Sequence, residues 1–124
     1  MMTKRLARLN EQLKREISEL IRRKVRDPRV GPVTITSVET ARDLGSARVY
    51  VSAQNPNDEL TESLAGLEAA ASFLRRELGR SLHVRRVPEL RFQQDHSLDQ
   101  ARRIEEILSD VVYSDLDEDE EDLE

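Results

Sequence analysis

Apolar residues recur at three- and four-residue spacing from Leu6 through Leu9, Leu13, Ile17, Leu20, Ile21 and Val25, which lines them along one face of a helix. At about 100° per residue, Lys4, Arg8, Arg15, Arg22 and Arg26 fall close to the direction opposite that stripe. The first helix thus combines a core face with a basic ridge. Asp27-Pro28 is expected to stop it, because a residue preceding proline is pushed out of the α region and proline has no amide for the ladder.

The period then changes. Residues 33–40 and 46–53 are β-branched and alternating, with Ala47, Val49 and Val51 on one face of the second run, and they predict two strands. Arg42-Asp43-Leu44-Gly45 supplies turn chemistry for a hairpin between them. A shift of apolar phase between Ile35 and Val38 predicts a bulge. The capping residues Asn55-Pro56-Asn57-Asp58 precede Leu60, Leu64, Leu67, Ala71, Leu74 and Leu78, so a second helical region is expected over about 58–82. Within it, Gly66 and the small residues Ala69-Ala70-Ala71-Ser72 allow close packing or a break. A third strand over about 89–94 turns Leu90 and Phe92 inward. Ser97, followed three residues later by Gln100, forms a capping-box signature ahead of Leu98, Ala101, Ile104, Ile107, Leu108 and Val111. This last helix is expected to end near Val112. The element order predicts an α+β domain whose sheet is covered by helices, which gives every apolar stripe a place to pack.

Length and composition narrow the picture. A chain of 124 residues has room for one modest core, here a domain over residues 1–112 followed by an acidic, disordered tail over 113–124. The tail holds eight acidic residues and no base, a composition that cannot bury apolar surface. Without it the net charge of −5 becomes +3, and residues 1–29 alone carry ten Lys or Arg against four acids. The basic end suits a polyanionic partner. There is no cysteine and no apolar run of membrane-spanning length, and a cytoplasmic monomer is expected.

Enzymatic chemistry finds little support. Asp95-His96-Ser97 holds the residue types of a hydrolytic triad, but sequence neighbours do not readily form the relay from acid to base to nucleophile, and capping explains them better. His83 and His96 have no carboxylate cluster at ligand spacing, so neither a metal nor a cofactor is expected. The four glycines stand alone, with no phosphate-cradling loop. What remains is binding. Arg75, Arg76, Arg80, Arg85 and Arg86 add a second basic segment at the end of the second helical region. From pattern alone, these residues fit solvated helix faces as well as phosphate contacts.

Several blocks, in order and spacing, resemble the ribosome-binding factor A family over about residues 4–112. They are Arg5 to Ile17, Asp27-Pro28-Arg29-Val30, Val33-Thr34-Ile35-Thr36, Arg42-Asp43-Leu44 with Ala47 to Val51, and Phe73-Leu74-Arg75. The most specific is Arg86-Val87-Pro88-Glu89-Leu90-Arg91-Phe92, followed by Asp95, Ser97 and Arg103-Ile104. The resemblance implies a type II KH-like fold with a helix–kink–helix at an Ala-x-Gly motif. Here that motif reads Ala70-Ala71-Ser72, with serine in place of the glycine. It also implies binding to the small (30S) ribosomal subunit and its 16S rRNA, with a role late in rRNA processing and subunit maturation. On that reading Lys4, Arg8, Arg15, Arg22, Arg75, Arg76, Arg80, Arg85 and Arg86 are the candidate RNA contacts. The competing reading is a protein–protein adaptor that uses an amphipathic helix and the acidic tail.

Overall fold

Thr3 starts the first helix, α1 (Lys4–Lys24), its hydroxyl accepting the Leu6 amide at 3.1 Å. The structure, a computed structural model, describes residues 3–54, 60–82, 84 and 86–122. The apolar stripe of α1 faces inward: Leu13 and Ile17 are fully buried, and Leu9, Leu20 and Ile21 pack partly against the core. The helix ends at Lys24, slightly before the Asp-Pro stop, with Val25 already extended. Asp27 instead shapes the following turn. Its carboxylate accepts the Arg29 amide at 2.9 Å and the Arg29 guanidinium at 2.6 Å, and this pairing lowers its pKa to about 2.

Strands β1 (Val33–Thr40) and β2 (Ser46–Ala53) pair antiparallel, and their register shifts between Ile35 and Ser37, where the phase of the sequence predicts a bulge. Leu44 closes the turn with its amide on the Ala41 carbonyl at 2.9 Å, in a left-handed conformation at φ 61°. β3 (Glu89–Gln94) runs parallel to β2, so the sheet is mixed, in the order β1-β2-β3. The crossover between β2 and β3 contains α2 (Thr61–Ser81). The proposed cap Asn55-Pro56-Asn57-Asp58 lies outside the described residues. Helical structure passes through Ala70, Ala71 and Ser72 without interruption, so any change of axis there is carried within one helix. Alanine, the strongest helix former, accounts for that continuity.

Both helices cover one face of the sheet, α1 against β1 and α2 against β3. Leu67, Leu74 and Leu78 of α2 meet Val49 and Val51 of β2 and Leu90 and Phe92 of β3 in a single core. Each helix also caps a sheet edge: Asn10 Oδ1 accepts the Thr40 amide and Glu68 Oε1 the Phe92 amide, both at 2.9 Å. Occupied edge amides are not available for pairing with another strand. At Gly66, α2 comes close to the turn after α1. A Cβ there would sit 2.9 Å from a Val30 methyl and 3.2 Å from the Val30 amide nitrogen. Gly66→Ala should therefore destabilise by about 1–3 kcal/mol despite alanine's better helix propensity. Thermal denaturation measures this, and a rise in melting temperature would show that the turn yields freely.

The last helix departs from expectation twice. α3 spans Ser97–Asp122 and does not end near Val112. Nothing in that stretch breaks a helix, since it contains no glycine or proline and glutamate propagates helices well. Nor does α3 cover the sheet: Ile104, Ile107 and Leu108 are each more than half exposed and Val111 nearly so. The inner face is already occupied by α1 and α2, and the outer face presents Thr34, Ser37, Glu39, Arg48, Glu89 and Arg91 to solvent. An apolar stripe has nowhere on this domain to dock.

What ties α3 to the body is Asp95. Its amide donates to the Val51 carbonyl at 2.8 Å, one carboxylate oxygen accepts the hydroxyl of Thr36, the bulge residue, at 2.5 Å, and the other accepts the Ser97 amide at 2.8 Å. The cap is thus supplied by Asp95, not by Ser97, which is itself the first helical residue. The Thr36 hydroxyl and then the Ser97 amide hold the Asp95 carboxyl below its ordinary pKa. A carboxyl depressed on folding stabilises the native state above its unfolded pKa, near 4, and that contribution is lost as pH falls through the folded value. Melting temperature should therefore drop between about pH 5 and pH 2, and Asp95→Asn should flatten part of that drop. An acid limb identical in the two proteins would show that the contact contributes nothing.

Candidate nucleic-acid interface

The basic ridge of α1 is real: Lys4, Arg8, Arg15 and Arg22 are all exposed, as is Arg26 just beyond the helix. Twenty-one residues at about 1.5 Å rise make this a ridge about 30 Å long and not a cluster. Its two halves differ in charge. Lys4, Arg8 and Arg15 have no ion pair among the described residues, whereas Glu19 engages Arg22 at 2.5 Å and Arg23 at 3.0 Å. Such pairs on an exposed helix are weak, worth about 0–1 kcal/mol. An incoming phosphate can compete for either arginine.

At its C-terminal end the ridge meets α2. Lys24 reaches Glu77 at 3.1 Å, and Arg80 lies 3.6 Å from the same carboxylate. Lys24 and then Arg80 and Arg76 hold the Glu77 carboxyl below its ordinary range, so that it stays charged and partly neutralises the rim. Arg23, Lys24 and Arg80 line one shallow groove between the helices, together with Glu16, Glu19 and Glu77. A neighbouring depression is lined by Lys24, Arg26, Ala69, Ala70 and Phe73. The small residues of α2 therefore form an apolar floor beside Lys24 at the end of α1 and Arg26 and Asp27 of the turn that follows. Phe73 is half-buried there, and a partly exposed ring beside arginine and lysine has the character of a base-stacking surface.

The second basic segment divides. Arg76 and Arg80 are exposed on α2, and Arg86 is exposed ahead of β3. Arg75 is half-buried, with its Nε donating to the Val87 carbonyl at 3.0 Å, which gives it a structural task in holding α2 to the strand entry. Arg85 and His83 lie outside the described residues. Sequence reading passed over Arg23, Lys24 and Phe73. Only their position across the α1–α2 junction sets them apart, and no spacing along one element reveals that.

Among the described residues, the Asp95-His96-Ser97 stretch does not form a catalytic relay. The Asp95 carboxylate is committed to Thr36 and Ser97, and His96 faces Asp99 at 3.6 Å with both side chains mostly exposed. Among the described residues no group of three or more acids or histidines could hold a metal ion, and no helix is long and apolar enough to cross a membrane.

The model of the family Ribosome-binding factor A matches residues 5–108. A ribosome-binding factor A from Pseudomonas putida is 44% identical over 123 residues, covering 95% of this chain and 93% of its own. Among solved structures, the crystal structure of ribosome-binding factor A from Thermus thermophilus superposes with a TM-score of 0.64 at 34% identity, over 72% of this chain and 94% of that one. A homology model of the Thermus thermophilus factor, fitted into the cryo-EM map of its complex with the 30S subunit, superposes with a TM-score of 0.59 at 32% identity. It covers 70% of this chain and 91% of the other. The fold shared with these structures, helices on a three-stranded mixed sheet, is KH-like.

Proposed function

Because this chain belongs to the ribosome-binding factor A family, we propose that it is a cytoplasmic factor that binds the free or immature 30S subunit through its 16S rRNA. There it assists late rRNA processing and subunit maturation. The observation that carries the RNA contact is the continuity of exposed cations along α1 and around its junction with α2. Lys4, Arg8, Arg15, Arg22, Arg76, Arg80 and Arg86 are the proposed phosphate contacts, where each replaces condensed counterions. Arg23 and Lys24 join them by position. The Ala70-Ala71-Ser72 stretch provides a surface without bulky side chains on which the RNA backbone approaches α2. The fitted Thermus complex supports the choice of the small subunit over RNA in general.

Depleting the protein from cells tests the processing role: precursor small-subunit rRNA should accumulate while large-subunit rRNA matures normally. Normal small-subunit rRNA ends after depletion would overturn it. The acidic segment gives a further expectation. Removing residues 113–124 takes away eight negative charges that compete with RNA for the basic surfaces, so affinity for an unrelated RNA hairpin should rise about two- to tenfold at low salt and less at physiological salt, where charges are screened beyond about 8 Å. Equal hairpin affinity with and without the segment would show that it does not reach those surfaces.

A further inference from the structure

The stripe on α3 is an apolar surface that the described fold leaves uncovered. Ile104, Ile107 and Leu108 are 55–56% exposed and Val111 47%, although their three- and four-residue spacing is that of a buried helix face. In the sequence the same spacing continues with Asp115, Glu118 and Asp122. Over its whole length α3 holds eleven acidic residues against two arginines, a net charge of −9. An apolar patch of about 10 Å is thus followed, after one turn, by an acidic stretch of about 10 Å on the same helix.

These features select the occupant. RNA is a poor one, because a helix of this charge repels phosphate and its stripe has no aromatic ring for stacking. A second copy of this chain offers basic charge on α1, but the apolar face of that helix is buried. Two such stripes packed together would also cover on the order of 400 Å² a side at most, well short of the roughly 800 Å² per partner of a stable interface. A basic protein surface with an apolar groove satisfies both halves of the helix.

We propose that α3 docks through Ile104, Ile107, Leu108 and Val111 into an apolar groove on a basic protein of the small ribosomal subunit, with the acidic stretch on that protein's lysines and arginines. The proposal rests on the small-subunit reading above. It makes the protein bivalent: α1 and its junction with α2 hold RNA, while α3 holds protein. A patch this small suffices because tethering to RNA already supplies a high effective concentration.

The test uses the full chain and an Ile107→Ala, Leu108→Ala variant, which keeps helix propensity and removes no buried contact. Each is titrated against purified small subunits and against the protein-free rRNA extracted from them. The variant should bind subunits about tenfold more weakly and bind the free rRNA as the unsubstituted chain does. In parallel, Leu108→p-benzoylphenylalanine, irradiated on purified subunits, should form its adduct with a basic subunit protein. An equal loss on free rRNA, no loss on subunits, or an adduct only to rRNA or to a second copy of the chain would overturn the proposal. If the unsubstituted chain fails to bind subunits at all, the small-subunit reading itself fails, a result distinct from any of these.

Discussion

Leu13→Asp or Ile17→Asp should abolish the cooperative thermal transition of the domain. Both side chains are fully buried on α1 and belong to the core cluster that α1 shares with the sheet and with α2. Truncating a buried leucine alone costs about 2–5 kcal/mol through lost transfer energy and the cavity left behind. A carboxylate adds the cost of desolvating a charge with no partner. A small domain has about 5–15 kcal/mol in all, so either change removes most of it. Gln12→Asp is the control, since residue 12 is an exposed neighbour on the same helix, and it should stay within about 0.5 kcal/mol of the unsubstituted protein. Circular dichroism on heating reads both, and a cooperative melt retained in Leu13→Asp would mean that α1 does not pack on the sheet.

The largest expected effect on binding comes from Arg15, Arg22, Arg76 and Arg80 changed together to Gln. All four are exposed, so the fold should persist, and the Glu19 and Glu77 pairs that two of them lose are surface contacts of little worth. If they touch phosphate, each loss should lower the slope of log K against log salt by somewhat less than one unit, and four should weaken small-subunit binding at least about tenfold near 0.1 M salt. Binding that keeps both its strength and its slope would remove these residues from the interface.

Much of the fold is legible in the sequence because it follows from periodicity. The α1 stripe, the alternation of β2, the inward Leu90 and Phe92 and the bulge after Ile35 all appear where residue spacing places them. α3 shows the limit of that reasoning. Spacing identifies an amphipathic helix but carries no information on whether a receiving face exists, and here α1 and α2 have already filled the one apolar side of the sheet. Gly66 is a similar case: small size in a helix suggests close packing, but only the position of Val30 shows what it packs against.

The candidate interface divides in the same way. Exposure of Lys4, Arg8, Arg15 and Arg22 follows from helix geometry. Arg75 looks equivalent to Arg76 in the sequence, yet its guanidinium is tied to the Val87 carbonyl across a loop. Lys24 and Arg80 come together only through the α1–α2 contact, around Glu77. Long-range juxtaposition of this kind leaves no local pattern.

Co-sedimentation of the full-length protein with purified small and large ribosomal subunits, over a series of salt concentrations, tests the central claim most directly. The protein should pellet with small subunits near one to one, not with large ones, and log K should fall linearly with log salt, with a slope reflecting several phosphate contacts. Equal recovery with both subunits, or small-subunit binding indifferent to salt, would contradict it.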